Sequence, residues 1–361
     1  MKIALLSYST KPRGGVVHTL ALAEALAALG EDVTVWSLGR GGDAGFFRPV
    51  GPAVRVRIVP FPDGPPQETV GERILRSITV LREAFEPFGA AYDVVHAQDC
   101  ISANAVNGGC VRTVHHIDHF TTPELAACHE RAIAEPYAHL CVSRSVADEL
   151  TAGWGIKAEV IPNGVAYERF ARTDPEARGA WRSRLGPYVL TVGGIEPRKG
   201  SLDLLEAYAL LRARRPEVRL VIAGGETLFD YRDYRTRWEE RAAELGVEPV
   251  VLGPMPDDEL PALVAAADAF AFPSLKEGFG LAAMEALAAG VPLVVRDLPV
   301  LREVFGPAAR FAATPEDLAG QLGQALAQHD PALRTAGREL AARHTWDTAA
   351  RRHLDFYRSL G

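Results

Sequence analysis

Phe272-Pro273-Ser274-Leu275-Lys276-Glu277-Gly278-Phe279-Gly280-Leu281-Ala282-Ala283-Met284-Glu285-Ala286-Leu287-Ala288-Ala289-Gly290 is the stretch whose reading decides the fold. The apolar run leading into it, Asp268 to Phe272, predicts a buried strand. Pro273 and Gly278 break that run. A segment of Leu, Ala, Met and Glu then predicts a helix, which Gly290 stops. A strand feeding a glycine turn that opens a helix suits a phosphate, because the first helical turn carries unpaired N–H groups and the positive end of the dipole. Glu277 lies in the turn and Glu285 inside the helix. Each carboxylate can accept two hydroxyls, as a sugar or a ribose offers them. The rival reading of Glu285 is a solvated helix face. Met284 and Leu287 read as core packing.

Upstream of this stretch, strands and helices alternate. Tyr188 to Val192 predicts a strand ending in Gly193-Gly194-Ile195-Glu196-Pro197-Arg198-Lys199-Gly200, and Ser201 to Arg214 a helix. Val218 to Ala223 predicts a strand ending at Gly224-Gly225, and Val250 to Gly253 another. Downstream, Pro292 to Arg296 is a strand and residues 315–361 are mostly helical. The N-terminal half repeats the alternation: strand Lys2 to Ser7, loop Lys11 to Gly15, helix Val16 to Leu29, strand Asp32 to Leu38. Further strands are expected at Val54–Val59, Asp93–Ala97, Val111–His115, His139–Ser143 and Ala158–Ile161. Two such series predict an α/β chain of two Rossmann-like domains facing each other across a cleft. Their expected bounds are 1–166 and 187–345, with the polar segment 167–186 as a linker.

Two local patterns are weaker. Gly39-Arg40-Gly41-Gly42-Asp43-Ala44 matches a dinucleotide fingerprint in letters, but no amphipathic helix follows, so residues 39–52 read as a loop. In His115-His116-Ile117-Asp118-His119, His115 and His119 have a spacing that metal ligands on a helix would use. The run follows a strand, however, and meets Thr121-Thr122-Pro123, which makes it a strand-end loop. His115 then faces ligand at the end of a strand, and the plain alternative is an exposed loop histidine.

Composition sets the outer limits. Apolar residues are 48% and charged residues 24%, as in ordinary globular proteins, and the net charge of −7 offers no basic footprint for nucleic acid. No apolar run approaches the ~20 residues of a membrane span. Peripheral membrane contact stays open. Met1 to Tyr8 is too short in its apolar part for a leader and reads as the first strand. Cys100, Cys110, Cys128 and Cys141 lack Cys-x-x-Cys spacing and read as free thiols of a reducing cytosol.

The set Gly14-Gly15, Thr113-Val114-His115, Val160 to Val165, Val192-Gly193-Gly194 with Pro197 to Gly200, and Phe272 to Pro292 resembles glycosyltransferase family 4, of the GT-B fold. The resemblance covers nearly the whole chain. It implies a retaining transferase using a nucleotide-sugar donor (UDP-, GDP- or ADP-sugar) as co-substrate, with no other cofactor and no metal. By the same resemblance Lys199 and Arg198 would neutralise the leaving diphosphate. Gly14, Gly15, Gly193, Gly194 and the segment Gly278, Phe279, Gly280 and Leu281 would bind the donor. Glu285 would hold the ribose, Glu277 the donor-sugar hydroxyls, and His115 would lie at the reaction centre. The helix around Trp346 to Tyr357 is similar to the family's tail, which crosses back to the N-terminal domain (residues 346–361 here). Two departures stand out. Many members have Arg where this chain has Gly194, so the diphosphate would rest more heavily on Arg198 and Lys199. Ala166 stands where Asp often follows Asn-Gly-Val. The acceptor would meet residues 39–52, 60–71 and 115–122, with Phe46, Phe47, Arg48 and Phe61. The alternatives are a non-catalytic nucleotide-sugar-binding protein and a nucleotide-sugar epimerase of the same fold.

Overall fold

The computed structural model describes every residue except 119, 121, 226–230 and 329. The His119 half of the metal reading therefore lies outside the described residues. The chain divides into two compact units, Met1–Gly164 with Trp346–Gly361, and Val165–Thr345.

The first unit runs β1 (Lys2–Ser7), α1 (Gly14–Ala28), β2 (Asp32–Arg40), β3 (Arg55–Phe61), α2 (Val70–Gly89), β4 (Val94–Ala97), α3 (Cys100–Ala105), β5 (Val111–Val114), α4 (Pro123–Ala134), β6 (Ala138–Cys141), α5 (Arg144–Trp154) and β7 (Glu159–Val160). The strands form one sheet in the order β3-β2-β1-β4-β5-β6-β7, and every pairing is parallel. Strand β1 is buried on both faces, which explains its unbroken Ile3-Ala4-Leu5-Leu6 run.

The second unit runs α6 (Tyr167–Ala171), α7 (Pro175–Leu185), β8 (Tyr188–Val192), α8 (Ser201–Arg212), β9 (Arg219–Ala223), α9 (Arg232–Glu244), β10 (Val250–Gly253), α10 (Leu260–Ala266), β11 (Ala269–Phe272), α11 (Leu281–Ala288), β12 (Leu293–Arg296), α12 (Pro299–Phe305), β13 (Arg310–Ala312), α13 (Pro315–Ala327) and α14 (Pro331–Arg343). Its parallel sheet has the order β10-β9-β8-β11-β12-β13. Val189, Leu205, Tyr208, Ile222, Val294 and Leu322 pack between this sheet and its helices.

The last helix, α15 (Trp346–Ser359), belongs to the first unit. Its Ala350, Leu354 and Tyr357 share one core with Val16 and Leu20 of α1, and the Tyr357 hydroxyl meets His96 Nδ1 at 2.7 Å.

In three places the local pattern and the structure differ. Residues 167–186, expected as a linker, hold α6 and α7, whose Phe170, Trp181 and Leu185 are buried in the second unit. Gly39 and Arg40, expected in a loop, close β2, because Leu38, Gly39 and Arg40 pair with Val59, Pro60 and Phe61 of β3. The short elements α12 and β13 gave too few residues for a periodic signal.

Candidate active site

In each sheet the strand order reverses once, between β1 and β4 and between β8 and β11. Ligands of open parallel sheets bind outside the strand C-termini at such a switch point. The expected site residues fall at these two places.

In the second unit, three glycine turns lie against one another. Gly193 has φ +146°, and a side chain on Gly224 would run into the Gly193 carbonyl at 2.2 Å. Gly200 has φ +64°, with the Pro273 carbonyl 2.2 Å from where a Cβ would sit. The Leu275 N–H donates to the Arg198 carbonyl at 2.8 Å, zipping the 193–200 turn to the loop after β11. That approach delivers Lys199 and Arg198 to one carboxylate: Lys199 Nζ lies 2.5 Å and Arg198 Nη1 3.1 Å from Glu277 Oε1. Lys199 also lies over the Phe272 ring, 5.3 Å from its centroid. Ser274 Oγ is buried nearby without a hydrogen-bond partner, in a small recess lined also by Gly193, Gly194 and Lys199.

The glycine at 194 has a local reason. A Cβ there would lie 2.6 Å from the Gly225 carbonyl, so an arginine would displace the neighbouring turn. Gly280, with φ +97°, starts α11 and leaves its first-turn N–H groups without a side-chain cap. A Cβ on Gly280 would press on Phe272 and Phe305 at 3.1 Å. Phe279 is buried and its ring lies beside that of His344, so only its backbone remains for a ligand. Gly278 is buried and Leu281 partly so. Glu285 lies near the Arg169–Asp257 ion pair (2.8 Å). Burial pushes its carboxyl up to about 8, against the pull of Arg169.

In the first unit, Gly14 and Gly15 are the first two residues of α1. A Cβ on Gly15 would come within 3.9 Å of the His115 ring, which places the two residues together. His115 follows β5 directly, and its Nε2 is buried without a partner. Burial, with the nearby His18 and Arg112, holds it well below the usual histidine range, so the ring is neutral. His116 pairs with Asp118 at 2.9 Å.

The sequence reading missed the support behind His115. His18 meets it edge-on with ring centroids 4.8 Å apart, and His18 Nδ1 lies 2.8 Å from Asn163 Oδ1. Burial lowers His18 to about 3, so this contact joins neutral groups. The available signal was one helical turn, since His18 follows Gly14 by four positions on the same face. Asn163 sits in the quoted Pro162-Asn163-Gly164 motif, but nothing in its sequence names His18 as partner. Among the described residues, no three His, Cys, Asp or Glu side chains are grouped to hold a metal ion.

Two doubly wound parallel units with glycine turns at their strand ends have the architecture of GT-B glycosyltransferases. Anabaena HepE, solved in complex with UDP and glucose, superposes with TM-score 0.74 at 20% identity, covering 99% of this chain and 100% of that one. The sequence goes further. Residues 12–169 match the model of Glycosyltransferase Family 4 and residues 176–342 that of Glycosyl transferases group 1. The D-inositol 3-phosphate glycosyltransferase of Salinispora arenicola is 30% identical, over 98% of this chain and 87% of that one. The glycogen synthase of Mycobacterium tuberculosis is also 30% identical, over 97% and 92%. The chain belongs to this glycosyltransferase family and is a transferase enzyme.

Proposed function

We propose that the protein is a retaining transferase. It moves a sugar from a nucleoside-diphosphate sugar to an acceptor hydroxyl, keeps the α-configuration and uses no metal ion. The observation that carries this reading is the convergence of Lys199 and Arg198 on Glu277, beside the uncapped start of α11. HepE, with the same fold, was solved with UDP and glucose, which supports a nucleotide-sugar donor.

In this reading the C1–O bond of the donor breaks and its electron pair goes to the diphosphate. Lys199 and Arg198 neutralise that charge, and the first-turn amides of α11 add hydrogen bonds. Glu277, which meets both cations, accepts hydrogen bonds from donor-sugar hydroxyls. The acceptor oxygen attacks C1 from the face the diphosphate leaves, and its proton passes to the departing phosphate oxygen. Glu285 accepts the ribose hydroxyls. The two glutamates are not an acid/base pair for hydrolysis, which would need both to flank one bond. Neutral His115 can hydrogen-bond a sugar hydroxyl without adding charge.

The test is a panel of UDP-, GDP- and ADP-sugars. The protein should release free nucleoside diphosphate slowly, with activity unchanged by a chelator. Lys199→Ala should lower that rate by ~100-fold or more. Binding without release would leave a nucleotide-sugar-binding protein, and appearance of the epimeric donor an epimerase.

A further inference from the structure

His18 lies on α1, one turn beyond Gly14 and Gly15, and is buried. Its ring is closed in by three others. His115 meets it edge-on at 4.8 Å between centroids, and Trp346 and His353 of α15 lie 5.4 and 6.2 Å away. The remaining contact is polar, His18 Nδ1 with Asn163 Oδ1 at 2.8 Å. An amide oxygen only accepts, so Nδ1 carries the proton. The ring is neutral, because burial and the neighbouring His353 lower it to about 3. A neutral imidazole has one N–H, so His18 Nε2 holds a bare lone pair. That nitrogen is buried and has no partner among the described residues.

His115 Nε2 is buried and open in the same way. The Nε2–Cδ2 edge of this ring is the one turned to α1, since both atoms lie 3.9 Å from where a Cβ on Gly15 would sit. Gly15 and His18 are three apart on that helix and share a face. Two open nitrogens at one ring contact are costly, because a buried polar group without a partner loses ~1–3 kcal/mol and most are satisfied. An apolar side chain in place of His18 would pack there without that cost. With its N–H given to Asn163, His18 can offer His115 only a lone pair and a ring face. Both attract an N–H and repel a second lone pair. His115 is neutral too, held below the usual histidine range by burial and then by His18 and Arg112. It therefore has one proton to place on Nε2 or Nδ1.

We propose that His18 is a positioning residue: locked by Asn163, it draws the proton of His115 to Nε2 and leaves Nδ1 as the bare nitrogen for the ligand. Which nitrogen of an imidazole is protonated follows from what the other one meets. Nδ1 of His115 then accepts from a hydroxyl of the donor sugar and does not donate to one. This inference rests on the reading of His115 as the histidine beside the donor sugar, and it gives that contact a direction.

The test is a long-range proton–nitrogen NMR spectrum of the whole protein carrying nitrogen-15 histidine, at neutral pH. The His115 signals are assigned by their loss in His115→Gln. In the wild-type protein His115 should show a protonated Nε2 and a bare Nδ1, a result that needs no variant to fold. His18→Leu and Asn163→Ala should each turn that pattern into a mixture of the two tautomers. They should also lower kcat for nucleoside diphosphate release about tenfold, with the donor KM changed less than about twofold. Asn163→Ala leaves every ring in place, so a change there separates a held tautomer from plain packing. A proton on His115 Nδ1 in the wild-type protein, or a His115 pattern that Asn163→Ala leaves unchanged, would overturn the proposal. No nucleoside diphosphate release from a wild-type protein with the stated pattern would instead count against the transferase reading and leave the tautomer standing.

Discussion

The two sheets present the same architectural point, a strand-order reversal, in opposite electrostatic states. At β8/β11 the cations are already paired, with Lys199 and Arg198 sharing Glu277. At β1/β4 the guanidiniums of Arg13 and Arg40 lie over the Tyr8 ring, while Glu68 is held by Arg76 and Asp99 accepts from the Tyr8 and Ser102 N–H groups. The titratable groups differ in part. The first unit holds the neutral histidines His18, His96, His115 and His353, while burial raises a carboxyl in each unit, Asp99 in the first and Glu285 in the second. A shared fold therefore does not set a shared chemistry. Glycine turns brought the second site's charges together, while strand ends and aromatic rings organise the first.

The largest test of this contrast is conformational. Gly200→Ala places a Cβ against the Pro273 carbonyl at positive φ, and should cost about 3 kcal/mol or more in urea unfolding. Its counterpart in the first unit, Gly15→Ala, finds only an ordinary contact with His115. That variant should be neutral or gain up to ~1 kcal/mol from helix propensity. Equal losses in the two would erase the distinction between a turn that demands glycine and a helix start that tolerates alanine.

The next test is pH. Between its ordinary 6.5 and its lower folded value, a buried histidine binds fewer protons folded than unfolded. Stability of the first unit should therefore be full above pH 6.5 and fall as pH drops. His353, lowered to about 4 by burial, would contribute a slope of about 1.4 kcal/mol per pH unit in that window. His353→Gln should flatten the acid limb, followed by circular dichroism, and an unchanged limb would assign the acid sensitivity elsewhere. Glu285 has the opposite sign. Its raised folded value makes it bind more protons folded than unfolded, so its contribution is present below its ordinary 4.5 and is lost as pH rises through about 8.

The smallest expected effect sharpens the same point in binding. A ribose hydroxyl donates to an ionised carboxylate, so donor affinity should rise as pH approaches about 8. In Glu285→Gln, affinity should be several-fold weaker and flat with pH. A pH dependence that survives the substitution would remove Glu285 from the ribose.

Much of this was legible in the chain. Alternating apolar runs and glycine stops located most strands and helices, because those signals are local. The family motifs pointed to Lys199, Glu277 and Glu285 for the same reason: the residues of each turn are contiguous. The two helices within 167–186 were hidden by polarity, since α7 buries little beyond Trp181 and Leu185.

What the sequence by itself determined was the alternation of elements, the two series, and which turns need glycine. Those follow from backbone sterics and side-chain period, which act over a few residues. Only the tertiary structure decided the partners. Lys199 meets Glu277 across 78 positions, and His18 meets Asn163 across 145. The guanidiniums of Arg13 and Arg40 come together over Tyr8 from the loop before α1 and the last residue of β2. Such encounters depend on strand order and packing, which no local pattern encodes.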